Sequence, residues 1–200
     1  AEGTSVTIGG KILSAGTPYY HNGENGAVGE VNSTEADANA TFNSADGTLT
    51  LNGLNLTSEK ISATGKLTIL LTGENQLGSE SYSGNAIYVN NGNLVIEGSG
   101  SLTAENKSGV STTIYADGNI TINGRAKVTA IHAGGDAQAI HASDVNGKII
   151  ISGAGTEVTA THNGTGSSDS ADYVALKAGT IQILNGAKLI AKGEAKAVDG

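Results

Sequence analysis

The sequence has no cysteine, no tryptophan and no methionine, and it carries a single proline and a single phenylalanine in 200 residues. The missing cysteine excludes disulfides, thiolate nucleophiles and cysteine-ligated zinc. The near-absence of proline leaves almost every backbone N–H free to enter a sheet. Charged residues make up 15% of the chain, below the usual share of about 25%, so a surface held by charge is not expected. Basic residues are few and scattered: 11 against 19 acidic ones, for a formal charge of −8. That balance argues against a nucleic-acid partner, which needs clustered Lys and Arg. No run approaches the roughly 20 apolar residues of a spanning helix, so no membrane insertion is expected.

What the chain does have is glycine, small polar residues and a repeating pattern. Apolar residues reach 38% and fall in β-branched runs, which excludes a disordered chain. One unit recurs as GTLTLNG (47–53), GKLTILLTG (65–73), GNLVIEG (92–98), GNITING (118–124), GKIIISG (147–153) and GTIQILNG (179–186). Each reads as a short strand with apolar residues at period two, closed by turn residues. A second set of apolar pairs follows these strands: Leu54/Leu56, Leu77, Leu102/Ala104, Val128/Ala130, Val158/Ala160 and Leu189/Ala191. A third set precedes them: Ala40/Phe42, Ile61/Ala63, Ile87/Val89, Ile114/Ala116, Ile140/Ala142, Leu176/Ala178 and Val198/Gly200.

Self-similarity of this length with no helical period means a solenoid of strands. The predicted fold is all-β: a single-stranded, right-handed parallel β-helix with three short strands per coil and about six to seven coils. Residues 1–39 read as an N-terminal cap and residues 40–200 as the β-helix. AVDG at the C-terminus starts a further rung, so the helix is expected to continue past Gly200.

Candidate functional residues stand out against this scaffold. If Ile140 and Ala142 face inward, His141 faces outward. The same parity gives an outward column of Thr41, Ser62, Tyr88, Tyr115, His141, Lys177 and Asp199. Beside it runs a second column read as outward and small: Asn39, Lys60, Ala86, Thr113, Ala139, Ala175 and Ala197. Aromatic side chains beside a flat strip suit the apolar faces of sugar rings. Tyr88, Tyr115, His141 and Lys177 are therefore the candidate carbohydrate-binding residues. The plainer alternative is that like side chains stack to stabilise the sheet. The connections from third strand to next first strand vary in length and leave on one side. They supply a candidate loop wall of Tyr82, His132, Asp136, Asp172 and Tyr173.

Catalytic signals are thinner. His132, Asp136, His141 and Asp144 lie close in sequence, but HExxH and HxxEH are absent. Asp117 and Asp144 follow the same strand on consecutive rungs and are the candidates for a carboxylate pair or a metal. The remaining turn acids lack the pattern of an EF-hand loop.

The repeating line Ala-Ile/Leu-x-Ala, a turn, then Gly-x-Ile-x-Ile-x-Gly resembles bacterial secreted carbohydrate-binding right-handed β-helix proteins, which are similar to polysaccharide lyases of the pectate-lyase type. The resemblance covers roughly residues 84–200, with a fainter extension to about residue 40. It implies an acidic polysaccharide ligand, calcium as the assisting cation, and a lyase base where Lys177 projects. The family's Asp-Gly-Ile-x-Ala rung is replaced here by Asn85-Ala86, Thr112-Thr113, Gln138-Ala139, Val174-Ala175 and Lys196-Ala197. The leading expectation is thus a non-catalytic module of a bacterial surface or secreted protein. It would sit outside the cell and bind a polysaccharide or cell-surface glycan. A structural adhesin or stalk module comes next, and a polysaccharide lyase or hydrolase third.

Overall fold

A computed structural model describes residues 4–107, 109–164, 174–193 and 196–199. It is an all-β parallel solenoid of about five turns, with roughly three strands per turn. Three sheets run along it. The first sheet stacks Ile61–Thr64, Ile87–Asn90, Ile114–Ala116, Ile140–Ala142, Val174–Lys177 and Lys196–Asp199 in parallel. The second stacks Thr48–Asn52, Leu67–Thr72, Leu94–Gly98, Ile120–Ile122, Lys148–Ser152 and Thr180–Leu184. The third stacks Asn55–Leu56, Glu74–Ser79, Ser101–Asn106, Lys127–His132, Glu157–His162 and Lys188–Gly193.

Strict period-two patterning makes this arrangement stable. Ile61, Ile87, Ile114, Ile140 and Leu176 lie on successive rungs, all with no exposed surface. Ile69, Ile96, Ile122 and Ile151 do the same in the second sheet. Each apolar side chain therefore packs on a like neighbour above and below, as well as across the narrow core. Gly153, with φ of 101°, turns the chain from second to third strand in a conformation that a side chain disfavours.

Two details differ from the sequence-based expectation. Leu49 pairs with Ile69 rather than with Leu67. The slip is two residues, and a two-residue slip keeps the same face inward, so the column survives. The larger difference is Ala40/Phe42. These residues do not begin a coil in the first sheet. Ala40–Asn43 pairs antiparallel with Thr48–Asn52 and extends the second sheet. The cause is NSADG (43–47), a tight hairpin turn in which Asn43 Oδ1 accepts the Ala45 N–H and Asp46 Oδ1 accepts the Thr48 N–H. A hairpin joins neighbours in one sheet, whereas a coil needs a longer path. The solenoid accordingly has about five turns rather than six to seven.

The N-terminal segment is antiparallel throughout. Ser5–Ile8 lies against Ile61–Thr64, and Lys11–Leu13 folds back on it. Tyr19–His21 and Glu30–Asn32 continue the second sheet beyond Ala40–Asn43. Tyr20 is fully buried there, and its hydroxyl accepts the Gly29 N–H at 2.7 Å. Burial pushes its pKa up.

Candidate functional site

The outward column of the first sheet is real, with one replacement. Thr41 belongs to the second sheet, and its place is taken by Thr7 of the antiparallel N-terminal strand. The column runs Thr7, Ser62, Tyr88, Tyr115, His141 and Lys177 in register. The Thr7 and Ser62 hydroxyls are hydrogen-bonded at 2.7 Å.

The rings are organised by the rung spacing. Tyr88 and Tyr115 stack with centroids 5.3 Å apart and planes 12° from parallel. His141 meets Tyr115 edge-on, at 5.7 Å and 84°. The Tyr115 hydroxyl reaches Asp117 Oδ1 at 2.9 Å and Ser143 Oγ at 2.7 Å. Burial is the main reason its pKa rises. Tyr115 thus has neighbours on both sides and a tethered hydroxyl. Tyr88 is different, because the rung before it carries Ser62 instead of a ring. A depression of ≈ 150 Å³ opens at that step, lined by Ser5, Thr7, Ser62, Thr64, Tyr88 and Asn90. The Lys60 ammonium hangs 5.6 Å from the Tyr88 centroid.

The small column beside the ladder is not an exposed strip. Ala86, Thr113, Ala139 and Ala175 have no exposed surface. Period-two alternation breaks where the chain enters the first sheet, and runs of two to four successive residues are buried there: 86–87, 112–114, 137–140 and 174–176. Small side chains fit that crowding, and the Thr113 hydroxyl is bonded to the Ile131 carbonyl at 2.9 Å. Asn39 lies beside the second sheet instead, where its side chain bonds to the Asn52 and Gly53 carbonyls. Strand parity does not extend to Ala86, Thr113 and Ala139, which precede the strands proper.

The loop wall is only partly as expected. Tyr82 bends onto its own loop, with its hydroxyl on the Asn85 carbonyl at 2.8 Å. Burial first, then the Glu59 charge, push its pKa up to about 12. Asp136 is exposed, and Asp172 and Tyr173 lie outside the described residues. His132 is not a wall residue. It ends Lys127–His132 facing inward, with no exposed surface. It therefore does not join the outward His141 in a site, and the suspected His132/His141/Asp136/Asp144 group does not form.

Asp117 and Asp144 do sit on consecutive rungs, and the Asp144 N–H bonds to the Asp117 carbonyl at 2.8 Å. Their carboxylates serve the turns. Asp117 accepts the Asn91 N–H at 2.7 Å besides the Tyr115 hydroxyl, and Asp144 accepts the Asn146 N–H at 2.8 Å. Among the described residues, no three His, Cys, Asp or Glu side chains are grouped to hold a metal ion.

Sequence reasoning missed a buried polar column. Asn106, His132 and His162 end successive strands of the third sheet in register, all essentially without exposed surface. The signal was present, because each stands two residues after an inward alanine, Ala104, Ala130 and Ala160. The Gly-containing segments that follow each of them have the composition of a loop, which masks the inward position.

No helix among the described residues is long and apolar enough to cross a membrane. Scans against protein-family models, curated proteins and solved structures give no match.

Proposed function

We propose that this chain is a non-catalytic glycan-binding β-solenoid module that works outside the cell, on a bacterial surface or in a secreted protein. The observation that carries the reading is the step in the ladder. Tyr88 stacks on Tyr115 on one side, while its other side, with the Lys60 ammonium 5.6 Å from the ring centroid, borders a depression lined by the Ser5, Thr7, Ser62 and Thr64 hydroxyls. A sugar ring presents an apolar face and a rim of hydroxyls, and that step offers a partner for each. Ser62, Thr7, Thr64 and Asn90 are neutral donors and acceptors of the type that reads hydroxyl groups. Similarity of the rung pattern to secreted carbohydrate-binding β-helices supports the same reading.

The ladder below the step works differently. Tyr115 is occupied by ring contacts above and below, so it supports Tyr88 and does not take a sugar face of its own. The turn contacts of Asp117 and Asp144 favour binding over hydrolysis or lyase chemistry.

A polysaccharide pull-down or glycan array identifies the best ligand, and titration of variants then tests the site. Tyr88→Ala is expected to weaken binding by about tenfold or more, equivalent to about 1.4 kcal/mol. Tyr115→Phe is expected to change it little. Unchanged affinity in Tyr88→Ala would sink the reading.

A stalk function is the second reading. It is favoured by the same stacked rings, which clamp consecutive rungs whether or not anything binds. Under it, no tested glycan binds and Tyr88→Ala affects only stability.

A further inference from the structure

The third sheet begins with a short step. Its edge strand, Asn55–Leu56, has 2 residues, whereas Glu74–Ser79 and Ser101–Asn106 each have 6. A depression of ≈ 440 Å³ opens at this step, against ≈ 150 Å³ beside Tyr88. Asn55, Glu74, Gln76, Ser101 and Thr103 supply its outward side chains.

The floor is tied across three rungs. Asn75 is buried in it, and its Oδ1 accepts the Leu54 N–H at 2.9 Å. Its Nδ2 donates to the Thr72 and Ser101 carbonyls, both at 3.0 Å. The Gln76 N–H bonds to the Leu54 carbonyl and the Ser101 N–H to the Gly73 carbonyl, each at 2.8 Å. Asn22 fastens the rim, donating to the Gly53 carbonyl at 2.8 Å and accepting the Asn55 N–H at 3.0 Å. A floor held this way needs little ordering when something binds.

The side chains above it are not spent on the fold. Among the described residues, Asn55, Glu74, Ser101 and Thr103 make no side-chain hydrogen bond or ion pair. Gln76 uses one N–H on the Gly78 carbonyl at 3.1 Å, which orients its amide and leaves Oε1 to accept. Asn55, Gln76 and Thr103 stand in register, and Glu74 stands beside Ser101 in the next column. Lys127 follows Ser101 in that column. It is two rungs from Glu74, about 10 Å, too far to pair with it.

We propose that this groove binds an amino sugar of the glucosamine type, with the ammonium on Glu74 and the hydroxyls on Asn55, Gln76, Ser101 and Thr103. The site lies on a different sheet from Tyr88, so it stands whether or not that face binds a glycan. Amides and hydroxyls at rung spacing both donate and accept, as a rim of sugar hydroxyls requires. A neutral sugar would cover the Glu74 carboxylate without compensating it, whereas an ammonium makes a charge-assisted hydrogen bond. The formal charge of −8 draws cations to the chain as a whole. A basic peptide fits less well, because the groove's one large apolar residue, Leu54, is buried and offers no pocket for a side chain. Glu74 has no second acid lining the groove with it, which disfavours a metal ion.

Isothermal titration in a weakly acidic, low-salt buffer compares a glucosamine oligomer, a glucose oligomer of equal length and an oligolysine. The glucosamine oligomer is expected to bind about tenfold more tightly than either of the others, or better. Glu74→Gln should erase that advantage, and Thr103→Val should weaken binding about threefold. Glu157→Gln, at another exposed acid of the same sheet, and Tyr88→Ala should leave it unchanged. In NMR spectra, the Asn55 and Gln76 side-chain amide signals should move during the titration. Absent binding, equal binding of the glucose oligomer or the oligolysine, or unmoved amide signals would overturn the proposal. So would a loss in Glu157→Gln as large as that in Glu74→Gln, which marks general attraction of a polycation to an acidic chain. A loss in Tyr88→Ala but not in Glu74→Gln would also overturn it and place the amino sugar on the first sheet. Failure of the Tyr88 reading shows separately, as a Tyr88→Ala variant that binds the pull-down or array ligand as the wild type does.

Discussion

His132 and His141 stand nine residues apart on consecutive strands, and they live in opposite worlds. His132 closes a third-sheet strand facing inward, sealed from water, with its ring nitrogen on a backbone carbonyl. His141 sits mid-strand in the first sheet facing outward, half-exposed, edge-on to Tyr115. The residue type is the same. What separates them is parity along the strand and position relative to the corner. In a solenoid, a histidine's chemistry is set by which side of the sheet its Cβ leaves.

The comparison can be broken at several points. The largest effect is expected from Ile140→Ala, the inward neighbour of His141. Removing a fully buried side chain from the middle of an isoleucine column should cost about 2–5 kcal/mol in urea unfolding. Next is His132→Ala, which leaves a cavity and strips the Gly135 carbonyl of its donor, for about 1–3 kcal/mol. The same variant sharpens the pH contrast. The folded pKa of His132 is depressed from 6.5 to about 4, so the unfolded chain takes up the proton first. Its contribution is full above about pH 6.5 and is lost as pH falls towards 4. The wild-type urea midpoint should fall more steeply over that window than that of His132→Ala. Tyr115→Phe removes the hydroxyl contacts to Asp117 and Ser143 and should cost about 0.5–1.5 kcal/mol. His141→Ala, at the outward end of the contrast, should cost under about 1 kcal/mol. A His141 effect larger than the His132 effect would invert the ranking and refute the parity argument.

Much of the scaffold was legible in the sequence. Alternation of Leu, Ile and Ala with polar residues named the inward columns, and the rung register of Tyr88, Tyr115 and His141 followed from it. The parts that were not legible share a cause. Strict alternation holds within a strand and fails at its ends. At the entry to the first sheet, Ala86 and Ile87 both turn inward, as do Ala139 and Ile140, so the supposed flat strip is core. At the exit from the third sheet, alternation persists one residue longer than the apolar pattern, so His132 and His162 are core although they read as loop. Ala40/Phe42 kept the right alternation on the wrong sheet, because the NSADG turn, not the pattern, decides the partner strand.

The ladder's register has one further consequence. Ile87, Ile114 and Ile140 pair in unbroken succession, and so do the strands that follow each of them. A segment running from Ile114 to Ala139 therefore holds one complete winding, with both of its ends at equivalent joints. Excising it should bring Tyr88 directly beside His141 and leave all three sheets continuous. The molecule's size is then adjustable in discrete increments, like the teeth of a rack, and any spacing a partner reads along its axis is a whole number of them.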